Sequence, residues 1–570
     1  MPKCKWDVKS TITDKAKKLS AEIDLSPVVA QILINRGYTE KDLINDFLSP
    51  SLSKLPDPFL LSDMDKASNR VADAVIGKQK ICIYGDYDID GTTAVASLVG
   101  FLKSLNVDVI YYQPERFGDG YGFHKGAVEK IKEQGVDLII TVDCATTNID
   151  TALYCIEKKI DLIITDHHNV GDVLPKAIAI VNPHKLSENK VFKDLAGVGV
   201  AYYLMIGVRK VLRDRGCFSG DIKEPDLKKY LDLVAFGTIA DVVPIQGVNR
   251  ILVKKGLELL NSDPRVGLKA LVTVSNLKNK IDCEAVGFIL SPRMNAAGRM
   301  GSASRSVDLL LTSDENEATQ LATILQEENI KRMAFQRESW TQAQSTVEEI
   351  RYSDPKGFDE KFTITLVSKD WHQGIIGIVA SKSVDRWFKP TAVFTSISNG
   401  VAKGSARSIP GIDIFSVFSE FKELFEDFGG HNMAAGMSIK EDRLPQFTEL
   451  FEAGVKKNHS VSELVQSLDV DIEVAPSDIS HRVVKEISMM EPFGMKNPAP
   501  LFFTKTKIFN KWLVKEKHLK LRLDNGVEAI GFNMGELVDK VGSSADIVFK
   551  PSINEWNGVK QLQYILSDID

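Results

Sequence analysis

Long apolar runs are absent from this chain of 570 residues. None approaches the roughly 20 consecutive apolar residues that a membrane-spanning helix needs. The first residues, MPKCKWDVKSTITDKAKKLS, also lack the apolar core of a signal peptide. We therefore expect a soluble, cytoplasmic protein that does not enter a membrane.

Cysteine is scarce and scattered. The six cysteines include no Cys-x-x-Cys pair, which argues against a disulfide framework and against a structural zinc site. No GxxxxGK[ST] sequence occurs either, so the chain gives no indication of an ATP-binding Walker loop. These absences favour a reducing compartment and a chemistry that does not use ATP.

Positive charge is not in excess, since the formal net charge is -6. Nucleic-acid binding would therefore depend on local basic patches. One such patch lies between Met495 and Arg522, where seven lysines and one arginine accompany a single acid, Glu516. Four aromatic residues are interleaved with them: Phe502, Phe503, Phe509 and Trp512. The patch suits single strands, with phosphates held by charge and bases by stacking, but some of the four aromatics should belong to a core.

Short apolar runs alternate with helix-length segments in the first part of the chain. The runs are KICIYG, VDVIYYQP, VDLIITVD, IDLIITDHH and AIAIVNP. This alternation predicts βαβ units and a mainly parallel sheet. A long polar stretch with helical spacing follows, then a second α/β segment with a glycine-rich turn at FGGHNMAAGMSI, and finally strand-like pieces spaced as in a small barrel.

Acidic residues follow three of the predicted strands. They are Asp86, Asp88 and Asp90 after the first, Asp143 after another, and Asp166, followed by His167 and His168, after a third. Because the carboxyl ends of parallel strands share one edge, these side chains should converge. Asp241 interrupts the apolar stretch GTIADVVPI, where it would be costly to bury without a partner.

A cluster of four or more carboxylates requires compensation. Two of them 4 Å apart repel by roughly 4 kcal/mol at an effective dielectric constant of about 20, so cations must bind or protons must be retained. Carboxylate and imidazole ligands suit Mn²⁺, with Mg²⁺ as a replacement, and two such ions suit phosphoryl transfer. Each motif alone has a structural alternative, such as a helix N-cap at Asp86 to Asp90, but the joint pattern favours a metal site.

These residues carry a resemblance to a known family. DYDIDGTT, VDCATTN, TDHH and GTIADVVP resemble, in this order, the four motifs of the DHH phosphoesterase superfamily. LSPRMNAAGR, KGSARSIPG and GGHNMAAG are similar to motifs of the RecJ family of single-strand-specific DNA exonucleases. The resemblance covers almost the whole chain, although Ile89 and Ala145 depart from the residues usual in the family. It implies 5′→3′ degradation of single-stranded DNA to mononucleotides by two-metal phosphodiester hydrolysis, in DNA recombination and repair.

The resemblance also implies a fold. We expect an α/β protein with a parallel-sheet DHH domain and a smaller α/β DHHA1 domain joined by a long helix, plus a C-terminal OB-like β-barrel. The expected domains are an N-terminal helical extension (1–70), the DHH catalytic domain (71–303), the connecting helix (304–355), the DHHA1 substrate-binding domain (356–458) and the OB-like single-strand-binding domain (459–570). Truncation before about Val461 should then weaken binding of long strands yet leave short oligonucleotides cleavable.

The site residues are implied in the same way. The expected metal ligands and catalytic residues are Asp88, Asp90, Asp143, His167 and Asp241, with Asp143 bridging two Mn²⁺ or Mg²⁺ ions. Asp86 is a further candidate ligand and His168 a further catalytic candidate. Alternatively, Asp86, Asp166 and His168 orient a ligand or face a phosphate. No protein nucleophile is needed.

Cationic and small residues are the expected substrate contacts. They are Arg116, Arg293, Asn295, Arg299, Ser405, Arg407, Gly430 and His431. Arg293 and Arg299 lie among alanine and glycine, which should let a phosphate approach the backbone closely; the alternative is a helix-capping turn with surface arginines. Arg116, Ser405 and Arg407 resemble the family's 5′-phosphate contacts.

Two rival functions share parts of this pattern. A DHH phosphodiesterase of short oligonucleotides or signalling nucleotides would use the same metal chemistry but would not need a basic OB-like domain. A non-catalytic DHH scaffold of a replication complex should have lost ligands, and every acid of the set is present here. The expected partners are single-stranded DNA, a single-strand-binding protein and a helicase, with the enzyme itself a monomer.

Overall fold

The parallel α/β lobe, the second α/β lobe and the β-barrel expected from the sequence are all present, which confirms the fold class. The computed structural model describes residues 4–114, 122–185, 190–220, 222–300, 303–398, 400–556 and 558–570. Among these residues, no helix combines the length and the apolar composition needed to cross a membrane.

The N-terminal segment packs against two different parts of the molecule. Its elements are β1 (Lys5–Val8), α1 (Asp14–Ile23), α2 (Pro27–Asn35), α3 (Lys41–Leu48) and α4 (Met64–Ile76). Helices α1 to α3 share one apolar core with the C-terminal barrel, and β1 pairs in parallel with residues Ser467–Val470. Helix α4 instead packs on the core of the first lobe. The segment predicted as a helical extension therefore contains a strand and contacts the barrel.

The first lobe is a five-stranded sheet covered by helices. Its elements are β2 (Ile81–Gly85), α5 (Ile89–Ser104), β3 (Val109–Tyr112), α6 (Lys125–Glu133), β4 (Leu138–Val142), α7 (Ile149–Glu157), β5 (Asp161–Thr165), β6 (Ala179–Val181), α8 (Gly197–Asp214), α9 (Leu231–Ala240), α10 (Gly247–Ser262) and α11 (Val266–Val274). The strands are parallel, as predicted, in the order β3-β2-β4-β5-β6. From β2 the chain continues to β3 on one side of β2 and then to β4 on the other side. A topological switch point therefore lies between β2 and β4, and open parallel sheets bind ligands at such points.

A 39-residue helix joins the two lobes. A π-helical segment, Ala285–Leu290, leads into α12 (Ser291–Met300), which is followed by α13 (Ser304–Leu311) and the connecting helix α14 (Glu315–Ser353). The connecting helix thus begins at Glu315 and not at residue 304, because Asp314 caps it by accepting a hydrogen bond from the amide of Glu317 (2.8 Å). At about 1.5 Å per residue, α14 is nearly 60 Å long.

The second lobe contains a mixed five-stranded sheet. Its elements are α15 (Pro355–Glu360), β7 (Ile364–Val367), α16 (Ile376–Trp387), β8 (Thr391–Ser398), β9 (Val401–Arg407), α17 (Ile414–Ser419), β10 (Phe425–His431), β11 (Ala434–Lys440) and α18 (Leu444–Asn458). The strand order is β10-β11-β9-β8-β7. The glycine-rich turn predicted from FGGHNMAAGMSI is mostly strand, since β10 and β11 form a hairpin whose turn is only residues 432–433.

The C-terminal part is a closed five-stranded barrel. Its elements are β12 (Ser467–Val470), β13 (Ile472–Glu473), α19 (His481–Met489), β14 (Phe502–Val514), β15 (His518–Leu523), β16 (Glu528–Gly531), β17 (Ser544–Trp556) and β18 (Val559–Ile569). The barrel closes because β14 pairs with both β15 and β17. Of the four interleaved aromatics, Phe502 and Phe503 are core residues, Trp512 is half-buried and Phe509 is 81% exposed. The expectation that some of them are core is confirmed.

Candidate active site

The acidic residues meet at the carboxyl edge of the first sheet. Asp86 directly follows β2, Asp143 follows β4 and Asp166 follows β5. Asp143 has a left-handed backbone (φ 60°), and its amide donates to the carbonyl of Thr165 at 3.0 Å. Asp143 therefore lies beside the end of β5, at the predicted edge.

His167 lies at the centre of three carboxylates. Its Nε2 is 3.1 Å from Oδ1 of Asp143, 3.6 Å from Oδ2 of Asp241 and 3.7 Å from Oδ2 of Asp90. Asp241 reaches this position because it ends α9, which packs on α5. Residues that are 151 positions apart in the chain (90 to 241) thus share one site.

Three groups of side chains could each hold a metal ion, with ligand atoms within 4.8 Å of one another. They are Asp90, His167 and Asp241; Asp86, Asp88 and Asp143; and Asp143, His167 and His168. Asp143 belongs to two of the groups, and its Oδ1 is 3.1 Å from Nε2 of His167, which belongs to the remaining one. Asp143 is therefore the candidate that could be shared between two ions.

Hydrogen bonds from the backbone orient two of the candidate ligands. Asp88 caps α5, with its Oδ1 accepting from the amide of Gly91 at 3.0 Å. Asp90 accepts from the amides of Gly197 (2.6 Å) and Val198 (2.8 Å) at the N-terminus of α8, where the helix dipole favours a negative charge. A Cβ atom on Gly197 would lie 2.6 Å from Cβ of Asp143, so only glycine fits. Sequence reasoning missed Gly197, for which GVGV before a helical run was the available signal.

The carboxylates are held in an environment that opposes their charge. Burial, together with the charge of Asp88, raises the pKa of Asp86 to about 8 and that of Asp90 to about 7. Burial and the charge of Asp90 raise the pKa of Asp241 to about 9, and the same two causes raise the pKa of Asp143 well above its ordinary value. Such shifts are expected where carboxylates crowd together without a cation.

Buried oxygen atoms without donors show that the cluster fits a divalent cation. Both carboxylate oxygens of Asp143 and Oδ2 of Asp241 are buried with no hydrogen-bond partner in the described part of the chain. Buried polar atoms almost always have a partner. Oxygen and imidazole donors are those that Mn²⁺ accepts, and Mg²⁺ accepts the oxygens. The donor set therefore suits either ion.

Asp166 organises the two histidines. It accepts hydrogen bonds from the amides of Thr146 (3.0 Å), His167 (2.8 Å) and His168 (3.1 Å) and from Nδ1 of His168 (2.8 Å). Although burial lowers the pKa of His168, the contact with Asp166 raises it to about 9. Burial and the charge of His168 lower the pKa of His167 to about 4, which leaves a neutral imidazole suited to bind a metal.

Asn182 stabilises this arrangement through two hydrogen bonds. Its side-chain amide, 1% exposed, donates to the hydroxyl of Thr146 (3.0 Å) and to the carbonyl of His168 (2.9 Å). Sequence reasoning missed Asn182, because an asparagine before proline is usually a turn residue. Asp166 and Asn182 thus support the positions of His167 and His168, while Asp86 belongs to one of the candidate ligand groups.

Three of the predicted substrate residues, Arg293, Asn295 and Arg299, lie on α12, beside the metal cluster. A Cβ atom on Gly298 would lie 3.3 Å from the carbonyl oxygen of Tyr87, the residue between Asp86 and Asp88 in the sequence. Arg293 and Asn295 are half-buried on the same helix. The small residues here let a regular helix pack against the metal loop; the close approach of a phosphate to their backbone stays a prediction. Arg116 and the side chain of Arg299 lie outside the described residues.

Two of the predicted residues of the second lobe, Ser405 and Arg407, form a cationic pocket over a helix N-terminus. Nη1 of Arg407 donates to Oγ of Ser405 (3.0 Å) and to the carbonyl of Ala406 (2.8 Å). A Cβ atom on Gly377, in the first turn of α16, would lie 3.0 Å from that hydroxyl and 3.1 Å from Nη2 of Arg407. A guanidinium, a hydroxyl and a helix N-terminus together favour an anion.

Strand register extends this pocket across the sheet. Ala434 of β11 pairs with Arg407 of β9, and His431 of β10 pairs with Ala434. The three residues therefore lie in one row across the same face of the sheet. Gly429 and Gly436 lie opposite Ser405 in the same way and are exposed. Gly430 instead pairs with Ala435, which is buried in the core of the lobe. Gly430 therefore faces away from the pocket, because alternate strand residues point to opposite faces.

Comparison with known proteins places this geometry in one family. Family models match residues 80–238 (DHH family, N-terminal domain), 359–457 (DHHA1 domain) and 470–568 (RecJ OB domain). The single-stranded-DNA-specific exonuclease RecJ of Bacillus subtilis (strain 168) is 36% identical and aligns with 99% of this chain and 71% of its own length. The RecJ exonuclease of Escherichia coli (strain K12) is 34% identical, with 98% and 97% covered.

Solved structures agree with these relatives. The crystal structure of RecJ in complex with Mn²⁺ from Thermus thermophilus matches with a TM-score of 0.85 at 28% identity, covering 100% of this chain and 79% of that one. The Mg²⁺ complex of the same protein matches with a TM-score of 0.78 at 27% identity, covering 99% and 78%. Together with the assembled metal cluster and the three matching domains, these similarities establish that the chain belongs to the RecJ family.

Proposed function

We propose that this protein is a metal-dependent exonuclease that degrades single-stranded DNA from its 5′ end to mononucleotides, in DNA recombination and repair. The observation that carries the proposal is the cluster around Asp143, whose buried carboxylate oxygens have no hydrogen-bond donor among the described residues. A non-catalytic scaffold would not need to retain such a costly cluster. A phosphodiesterase of signalling nucleotides would not need the barrel.

Asp88, Asp90, Asp143, His167 and Asp241 would hold the metal ions, with Asp86 as a further ligand. Bound Mn²⁺ or Mg²⁺ supplies Lewis acidity that activates water and neutralises charge on the phosphate. The hydrogen bond to Asp166 keeps Nδ1 of His168 protonated. With a pKa of about 9, His168 is cationic at neutral pH and can donate a hydrogen bond to a phosphate oxygen.

Incubation of the protein with 5′-labelled or 3′-labelled single strands tests this function. With Mn²⁺ or Mg²⁺, the 5′ label should appear at once as mononucleotide, while the 3′ label stays in strands that shorten gradually. Duplex DNA with blunt ends serves as the control and should survive. Release of mononucleotide from the 3′ label first would contradict the polarity, and no release from either strand would contradict the function.

The metal-free protein should lose stability as the pH rises from 7 to 9. In that form the pKa values of Asp90, Asp86 and Asp241 are about 7, 8 and 9, above the ordinary value of about 4. A carboxyl with a pKa raised by folding stabilises the fold while protonated, and this stability is lost as the pH rises through the folded pKa. Bound Mg²⁺ replaces the protons. The difference in Tm between Mg²⁺ and EDTA should therefore widen by several degrees.

Thermal melts at each pH, with Mg²⁺ or with EDTA, measure this difference. Asp241→Asn serves as the internal comparison, because removing one of the titrating groups should flatten the EDTA curve. Parallel curves with and without Mg²⁺ would show that the cluster is not the source of the pH dependence.

The barrel is proposed to hold the strand beyond the active site. Lys505 and Lys507 alternate along β14 and lie on one outward face, and Phe509, at a register shift between β14 and β15, is also exposed. Loss of one stacked base costs about 1 to 3 kcal/mol. Phe509→Ala should therefore raise the Kd for a long single strand about tenfold and leave the cleavage rate of a very short strand unchanged.

A matched variant separates stacking from general effects. Tyr352→Ala removes another aromatic ring, 90% exposed at the end of α14, and should leave binding unchanged. Equal binding by Phe509→Ala and wild type would remove β14 from the proposed binding surface.

Point substitutions are needed here because truncation would damage the fold. Ile32 and Leu33 of α2 share their core with Ile472 and Phe502 of the C-terminal part. Removal of the chain from Val461 onwards would uncover this apolar surface. Such a truncation would therefore disturb the fold as well as the binding surface; that it weakens binding of long strands and leaves short oligonucleotides cleavable stays a prediction.

Finer aspects of the biology rest on the same proposal. Six free cysteines support a reducing, cytoplasmic location. A nuclease that requires single strands needs a helicase to provide them and meets single-strand-binding protein on them. We propose both as partners of a monomeric enzyme.

A further inference from the structure

Two half-buried arginines, Arg293 on α12 and Arg332 on α14, donate hydrogen bonds to neutral groups and to no carboxylate of the described residues. Arg332 donates to Oδ1 of Asn329 from Nε (3.1 Å) and Nη2 (3.0 Å), and to Oε1 of Gln336 from Nη1 (2.7 Å). Arg293 donates from Nε to the side-chain carbonyl of Gln326 at 2.7 Å, and also to a backbone carbonyl one turn earlier.

No acid among the described residues neutralises either guanidinium. Across the described ranges, no carboxylate oxygen lies within 4.0 Å of Arg293 or Arg332, and the neighbouring Glu328 is paired with Arg305. Burial is the main cause that lowers the pKa of Arg332, and the positive charge of the nearby Arg293 is the second cause. Two uncompensated like charges in a partly desolvated position are unfavourable unless an anion joins them.

Other arginines of this fold differ from this pair. Arg36 and Arg265, also shielded from solvent, each bind an aspartate. Arg250 has no acidic partner in the ranges that the structure describes, but it is 3% exposed and enclosed by four backbone carbonyls. Arg293 and Arg332 have no acidic partner in the described part of the chain and are half-buried rather than enclosed, so both can reach a ligand.

The pair lies between the metal cluster and the second-lobe pocket. On one side, α12 contacts the metal loop through Gly298 and Tyr87. On the other side, Phe335 of α14 stacks with His372 (ring centroids 5.9 Å apart, 20° between planes). His372 precedes α16, whose first turn lies against Arg407.

We propose that Arg293 and Arg332 form a binding site for a phosphodiester of the DNA strand, within three linkages of its 5′ end. The site depends on the proposed exonuclease function and adds Arg332, with Asn329 and Gln336, to its substrate contacts. The carboxamides hold the guanidinium in place without neutralising it, so little ordering remains when a phosphate arrives. No sequence motif marks Arg332, since KRMAF is ordinary for a polar helix.

Arg332→Gln tests the site by binding alone. In an Asp143→Asn background, which prevents cleavage, we expect the Kd for a short single strand to rise about tenfold. The slope of log Kd against log salt should fall by about 0.7, the value for one phosphate of a single strand. The Tm should stay the same or rise, because an uncompensated charge is removed. A purely structural arginine would instead lower the Tm and leave the salt slope unchanged, which would overturn the proposal.

Two further variants bracket this result. Arg337→Gln removes a positive charge from the exposed side of the same helix and should change the Kd by less than about twofold. Arg332→Lys keeps the charge but loses the fork of donors, so its Kd should lie between those of wild type and Arg332→Gln.

Neutral methylphosphonate linkages locate the contact. Strands carrying one such linkage, at the first to the sixth position from the 5′ end, are bound to wild type and to Arg332→Gln. At one of the first three positions, the losses of binding free energy caused by the linkage and by Arg332→Gln should not be additive, because the arginine and that phosphate form one interaction. Additive effects at all positions, or coupling only beyond the third, would overturn the site. If wild type does not degrade single strands at all, the exonuclease proposal fails instead, and the two failures are thereby distinguished.

Discussion

Asp143→Asn should reduce nuclease activity by about a thousandfold or more, the largest loss expected from any single substitution here. Asp143 belongs to two of the three candidate ligand groups, and its Oδ1 is 3.1 Å from His167. Asparagine keeps the size of the side chain and tolerates the left-handed backbone at this position (φ 60°). It replaces a charge that two ions would share with a neutral amide, so metal affinity and activity should fall together.

The same substitution should not destabilise the metal-free protein. Burial and neighbouring carboxylates oppose the charge of Asp143, so its removal relieves repulsion. Melts in EDTA should show an equal or higher Tm, while the rise in Tm on adding Mn²⁺ should shrink. Asp172→Asn, which removes an exposed carboxylate, is the control. Wild-type turnover by Asp143→Asn in Mn²⁺ would exclude Asp143 as a shared ligand.

Arg407→Ala should have the second largest effect and should act on the choice of strand end. The metal cluster performs the same chemistry on any phosphodiester, so polarity requires a separate pocket for a terminal phosphate, which carries more charge than an internal linkage. Arg407, Ser405 and the first turn of α16 form such a cationic pocket. Loss of one charge-assisted contact costs about 1.5 to 3 kcal/mol, so degradation of a 5′-phosphorylated strand should slow about ten- to a hundredfold.

The comparison with a 5′-hydroxyl strand makes this prediction specific. Arg407→Ala should lose most of the preference for 5′-phosphate, whereas Arg386→Ala, exposed near the other end of α16, should keep it. Gly377→Ala should weaken the preference as well, because its new methyl group would lie 3.0 Å from the hydroxyl of Ser405. If Arg407→Ala retains the wild-type preference, the terminal phosphate is recognised elsewhere.

The sequence by itself determined the elements of the fold and most of the metal cluster. Strands and helices of the first lobe follow from apolar periodicity, which is a local property. The acids could be assigned to one edge because parallel strands end on the same side. Even Asp241, far along the chain, stood out because a charge within an apolar stretch needs a partner.

Only the tertiary structure decided which groups support these residues. The strand order put the switch point between β2 and β4, and backbone amides at Gly197 and the side chain of Asn182 joined the site from distant segments. Strand register turned Gly430 away from the pocket. Barrel packing joined the two ends of the chain, and a helix crossing brought Arg332 near Arg293. Such contacts depend on long-range packing, which no local pattern of residues encodes, and so they could not be read from the sequence.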